Sequence, residues 1–228
     1  MSIESIFHET DFLYNDSAKL FKQKIKNPSK YIKWSDIEYC INRPEIFELE
    51  LIDKFGRKLQ IPKYNKAWTH FPIYEKSFIA NHVNLGYSLV ILNYASYSHE
   101  TYDLVNTFEN NFDVNAAIHV YCGLENSNSF NIHTDYPSNF ILQVEGRTLW
   151  KIFENKHSSL LSPRFDIEDK NLKIDIEVIL EPGDVLYIPS NTYHCAYPSE
   201  KRISISVPCW NRVSSFGKID RNYYKLNY

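Results

Sequence analysis

Glu181-Pro-Gly-Asp-Val-Leu-Tyr-Ile-Pro189, followed directly by Ser-Asn-Thr-Tyr-His194, decides how the rest of the chain is read. Pro-Gly is a tight-turn pair, and Val185 to Ile188 is a short apolar run of strand length. Pro189 stops that run, so His194 is delivered onto a second strand. The text on both sides has the same texture from Asn115 onward. Ala116 to Cys122, Phe130 to Asp135, Asn139 to Glu145, Thr148 to Phe153, Ile174 to Leu180, Tyr193 to Tyr197 and Ile203 to Val207 all read as strands. Short strands at such close spacing predict a mainly β sandwich or barrel.

The first 85 residues read differently, as a helical and hairpin preface. Leu20, Phe21 and Ile25 share one helical face after Asp16, and Ser35 with Glu38 forms a capping-box pattern for a short helix before Pro44. Phe47 to Leu51 and Leu59 to Ile61 alternate around an Asp53–Gly56 turn, which is a hairpin by period and turn chemistry. Ser88 to Leu92 is a short apolar run, and Ser98 can cap a helix from His99 to about Asn110.

Composition narrows the function. Lys and Arg number 25 against 28 Asp and Glu, for a net charge of -3, which excludes a protein whose affinity rests on a broad basic face. No nucleic-acid partner is therefore expected. No apolar stretch reaches the length of a membrane span, and Met1-Ser-Ile-Glu-Ser-Ile lacks the basic-then-apolar start of a secretory signal. Cys40, Cys122, Cys195 and Cys209 are scattered without a C-x-x-C pair, so they read as reduced thiols of a cytoplasmic protein.

The chemistry concentrates at His133-Thr-Asp135 and His194. Residues two apart on a strand face the same way, so His133 and Asp135 could grip one ion. His-x-Asp alone is a weak signal. Joined by His194, it makes two imidazoles and one carboxylate, the facial set typical of non-haem ferrous iron, with positions left for a cosubstrate and dioxygen.

Asn139-Phe-Ile-Leu-Gln-Val-Glu-Gly-Arg-Thr-Leu-Trp150, the Glu181–Pro189 segment and the His-x-Asp...His set resemble the JmjC-type cupin oxygenases, above all the bacterial and nucleolar ribosomal-protein hydroxylases. The resemblance runs from about Gly86 to Trp210. It implies a double-stranded β-helix (a cupin or jelly-roll barrel) with flanking helices, in a single domain: preface 1–85, barrel core 86–210, tail 211–228. It also implies Fe(II), 2-oxoglutarate and O2, with His133, Asp135 and His194 as catalytic metal ligands. The activity implied is hydroxylation of a C–H bond on a protein or peptide side chain. The alternatives are the same chemistry on a free amino acid or other small molecule, and a metal-binding cupin that does not use 2-oxoglutarate.

One departure bears on the cosubstrate. Where the group carries a Lys or Arg for the distal carboxylate of 2-oxoglutarate, this chain has Thr148, and Lys151 is at an odd offset that puts it on the other face. Arg202-Ile-Ser204 is similar to the Arg-x-Ser that binds 2-oxoglutarate in other branches of the superfamily, which makes Arg202 and Ser204 the expected clamp. The competing reading leaves Arg202 as a solvated hairpin residue beside Lys201. Asn139, Thr148 and Tyr121 are expected as further cosubstrate-pocket residues, and His119, two before Tyr121, as a pocket histidine rather than a fourth ligand. The aromatic tail Tyr223 to Tyr228 offers a surface for a possible homodimer.

Overall fold

A computed structural model describes residue 6 and residues 17–65, 67, 71–125, 127, 129–156 and 172–211. In chain order these form β1 (Lys19–Phe21), α1 (Trp34–Ile41), β2 (Glu48–Ile52), β3 (Lys58–Leu59), β4 (Lys63–Tyr64), β5 (Ile73–Tyr74), α2 (Lys76–Asn84), β6 (Ser88–Leu92) and α3 (His99–Phe112). They continue as β7 (Val114–Ala116), β8 (His119–Gly123), β9 (Ser138–Glu145), β10 (Thr148–Lys156), β11 (Ile174–Leu180), β12 (Val185–Ile188), β13 (Thr192–Pro198) and β14 (Arg202–Asn211). The larger sheet runs β1-β12-β9-β14-β8-β6-β2-β3 with β7 beside β14, and a smaller sheet runs β11-β10-β13. From β8 on, the chain passes repeatedly between the two sheets, with β8, β9, β12 and β14 in the larger and β10, β11 and β13 in the smaller, in the manner of a double-stranded β-helix. The jelly-roll expectation therefore holds.

The side-chain alternation of β9 shows why these sequences make a barrel with a second covered face. Phe140, Leu142 and Val144 join the large core that also holds Phe108 and Phe112 of α3, while Ile141 joins the barrel-interior cluster with Trp150, Ile152, Leu186 and Ile188. Phe112 stacks on Phe140 at 5.5 Å. A strand buried on both faces reads as a mostly apolar run, and its two buried polar residues, Asn139 and Gln143, fall on the inward face. β14 repeats the pattern. Ile203, Ile205 and Val207 enter the large core, leaving Arg202, Ser204 and Ser206 for the barrel interior.

Most of the expected elements are present, and the exceptions are instructive. The segment containing Leu20 and Phe21 is a strand, not a helix: β1 pairs with β12 in the register Lys19↔Tyr187 to Phe21↔Val185. Phe21 packs in the large core and Leu20 against the barrel cluster, so successive side chains point opposite ways. Asp184 fixes this course. Its fully buried carboxylate takes Lys22 Nζ at 2.6 Å and the Gln23 backbone N–H at 2.9 Å. The short helix before Pro44 exists as α1, but it is capped at Lys33, whose N–H donates to Asp36 at 2.7 Å.

Phe130 to Asp135 is not a strand either. It contributes one isolated bridge, His133 to His194. Ala116 to Cys122 is divided between β7 and β8. The tail 212–228, and with it the aromatic surface expected for a homodimer, lies outside the described residues.

Candidate metal centre

The isolated bridge builds the site. His133 N–H donates to His194 O at 3.0 Å and His194 N–H donates back to His133 O at 2.9 Å, which sets the two imidazoles opposite each other with centroids 4.3 Å apart. Each ring then engages a backbone carbonyl two residues earlier: His133 Nδ1 with Asn131 O and His194 Nδ1 with Thr192 O, both at 2.8 Å. With Nδ1 engaged, Nε2 is the nitrogen each ring has to offer a cation, the usual arrangement behind a metal-bound histidine.

Asp135 completes the set. Its Oδ2 lies 3.6 Å from His194 Nε2, and one ligand atom from each of the three residues falls within 4.8 Å of the others. The donor chemistry, two neutral imidazoles and one carboxylate on one side of a pocket, fits a divalent transition metal.

Burial keeps the site in the ligating state. His194 is pulled down from 6.5 to about 4, first by desolvation and then by His133. A histidine depressed in the folded state leaves the unfolded chain to bind the proton first. The metal-free protein should therefore lose stability as pH falls from about 6.5 towards 4. Urea midpoints at stepped pH check this, and a His194→Gln variant with the same pH slope as the parent would remove the assignment.

The inward face of β14 supplies the other end of the pocket. Arg202 is 2% exposed, so the solvated-hairpin reading is wrong. Its Nη2 donates to Ser88 Oγ at 3.3 Å and to Ser127 O at 3.5 Å, but its Nε has no partner among the described residues. Its pKa is pulled down to about 10 by desolvation, opposed by the Cys122 thiol and the Tyr121 phenol, and among the described residues it makes no ion pair with a carboxylate. Tyr121, Ser204, Trp150 and the three ligand residues line the same pocket as Arg202. A cation buried with no counter-charge is costly unless an anion arrives to meet it.

The other expected pocket residues divide. Ser204 Oγ donates to Gln143 Oε1 at 2.9 Å, and Thr148 is fully buried, its Oγ1 without a partner among the described residues, on the same face of β10 as Trp150. Lys151 is turned away, paired with Glu177 at 3.3 Å. Asn139 donates its amide to Asp135 Oδ2 at 2.7 Å. His119 lies in an adjoining cleft of about 240 Å³ that also reaches Tyr121, Asp135 and Ser206, and burial lowers its pKa. The sequence alone did not single out Ser88, Ser127, Gln143 or Ser206. Their contacts join distant parts of the chain, and a serine or glutamine has no periodic signature.

The JmjC domain model matches residues 94–215, a span that includes all the residues of the triad and of the Arg202 strand face. The chain belongs to the JmjC-domain family. The bifunctional lysine-specific demethylase and histidyl-hydroxylase NO66 of Aedes aegypti is 34% identical over 205 residues, covering 84% of this chain and 31% of that protein. Ribosomal oxygenase 1 of Rattus norvegicus is 33% identical over 116 residues, covering 49% of this chain and 19% of that protein. Among solved structures, YcfD, a ribosomal oxygenase from Escherichia coli in complex with cobalt and 2-oxoglutarate, superposes with a TM-score of 0.61 at 18% identity. That superposition covers 92% of this JmjC chain and 52% of the other, and at such identity it speaks for the fold. The chain thus spans less than a third of these two curated relatives and about half of the solved one.

Proposed function

We propose that this chain is an Fe(II)- and 2-oxoglutarate-dependent dioxygenase that hydroxylates a C–H bond of a protein or peptide side chain. The observation that carries the reading is a facial His133, Asp135 and His194 set in one pocket with a buried, uncompensated Arg202. Bound there, ferrous iron, 2-oxoglutarate and O2 would supply the oxidative decarboxylation, to succinate and CO2, that turns a substrate C–H into C–OH.

The chain's own residues do the rest. His133, Asp135 and His194 would hold the metal through two imidazole nitrogens and a carboxylate oxygen. Arg202 takes the distal carboxylate as a charge-assisted pair, with Tyr121 and Ser204 in the same pocket lining and the buried Thr148 Oγ1, outside that lining, as a further hydrogen-bonding group. The free void of the pocket is about 40 Å³. The larger groove, about 640 Å³ along β2 to β5, carries no metal-ligating set among the described residues. It shares Glu50 and Lys58 with the cleft beside Asp135, which makes a continuous approach for an extended polypeptide.

The protein-side-chain reading also rests on the relatives' names, a histidyl-hydroxylase and a ribosomal oxygenase. No described helix is long and apolar enough to cross a membrane, and the four cysteines are buried free thiols, in keeping with a reducing, cytoplasmic setting. The test is succinate release from the chain with Fe(II), 2-oxoglutarate and O2, with peptide pools and amino-acid pools supplied separately. A one-oxygen mass gain on peptides is expected. Succinate formed only with amino acids would move the substrate class, and no succinate under any condition would overturn the reading.

A further inference from the structure

We infer that Asn139 is a positioning residue for the metal carboxylate, held in its working orientation by Ser206, and not a contact for the cosubstrate. The inference rests on the metal-site reading above. Asp135 lies outside any strand, two residues past an isolated bridge, and its side chain is 40% exposed. A carboxylate so placed has two free side-chain torsions and needs something to hold it over the imidazoles. Its backbone carbonyl is fixed by Asn191 N–H at 2.8 Å, but that leaves the side chain free to turn. The side-chain restraint is the Asn139 amide, Nδ2 to Oδ2, at 2.7 Å.

Asn139 is suited to this because it is immobile. It is 3% exposed, and β9 is paired at that residue on both sides, Asn139↔Ile188 and Asn139↔Pro208. The direction of its amide is settled by the acceptor-only carboxylate, which takes the N–H, and Ser206 Oγ then holds the other end by donating to Asn139 Oδ1 at 3.1 Å. A flipped amide would set its oxygen against the Asp135 carboxylate, acceptor against acceptor. The order Ser206 O–H, Asn139 carbonyl, Asn139 N–H, Asp135 carboxylate is therefore the one consistent assignment. A neutral amide restrains the carboxylate without neutralising it, so the full negative charge stays available to the cation. Ser206 reaches this chain from the strand face that also presents Arg202 and Ser204, so one alternating run carries both the carboxylate lock and the buried cation.

The test is Co(II) titration of the metal-free chain by calorimetry and visible absorption, with 2-oxoglutarate affinity measured separately at saturating Co(II). Outer partners of metal ligands are typically worth about ten- to a hundred-fold in metal affinity. Asn139→Ala should weaken Co(II) by that amount, alter the visible bands, and leave the 2-oxoglutarate affinity nearly unchanged. Ser206→Ala should weaken Co(II) by a smaller, several-fold amount in the same direction. Unchanged Co(II) affinity in Asn139→Ala, with 2-oxoglutarate affinity reduced instead, overturns the inference and returns Asn139 to the cosubstrate. Where Asn139→Ala does not fold, Ser206→Ala decides alone, and indifference to it is equally fatal. Failure of the metal reading itself looks different: wild-type Co(II) affinity would then survive Asp135→Ala as well.

Discussion

Asp135→Ala should abolish turnover and weaken Co(II) or Fe(II) binding by more than about a hundred-fold, because loss of a ligand must exceed the ten- to hundred-fold cost of disturbing its outer partners. Asp135 is the informative member of the set. His194 is buried and holds the bridge to His133 through its backbone, and its ring stacks near Trp150 at 6.0 Å, so trimming it opens a cavity as well as removing a ligand. The Asp135 side chain is 40% exposed, so its removal should leave the fold intact. A metal-free chain with an unchanged melting midpoint and no detectable Co(II) binding is the expected pair of results. Full metal binding in Asp135→Ala would dispose of the metal centre.

The barrel was legible because its signals are local. Val185 to Ile188, Ile174 to Leu180 and the Asn139 to Glu145 run each carry a strand's composition between turn residues, and each is a strand at nearly those bounds. β1 was not legible, because Leu20, Phe21 and Ile25 also satisfy a helical spacing. Its extended course is decided by β12 and the buried Asp184 more than a hundred residues away. The His133–Asp135 segment shows the same limit from the other side. The spacing pointed to His133, Asp135 and His194, and the fold brings their donor atoms within 4.8 Å of one another, but strand alternation is not what aligns them. In the folded chain a backbone bridge positions His133, and a side-chain hydrogen bond from β9 positions Asp135. The spacing marked the chemistry, while tertiary contacts that no short window contains made the geometry.

Arg202 brings stability and function into opposition, and the two can be measured apart. Arg202→Ala removes a charge-assisted pair typically worth about 1.5–3 kcal/mol, so 2-oxoglutarate affinity should fall by roughly ten- to a hundred-fold while Co(II) affinity stays the same. Arg202→Lys should recover part of the loss, since an ammonium gives charge without the planar fork. Thr148→Ala should cost only what one neutral hydrogen bond does. Arg202→Met tests the other half. The guanidinium is buried, its pKa is pulled down to about 10, and its only described hydrogen-bond partners are Ser88 Oγ and Ser127 O. Replacing an uncompensated buried cation by an apolar side chain of similar length is often neutral or stabilising. The ligand-free Arg202→Met chain should therefore melt at or above the wild-type midpoint. Wild type should gain stability on adding 2-oxoglutarate with Co(II), as any ligand selective for the folded state confers, and the variant should gain much less at the same concentration. A variant that keeps the full ligand-induced shift would show that the distal carboxylate is held elsewhere. A large loss of ligand-free stability would show that Arg202 is there to bind Ser88 and Ser127, with its positive charge incidental.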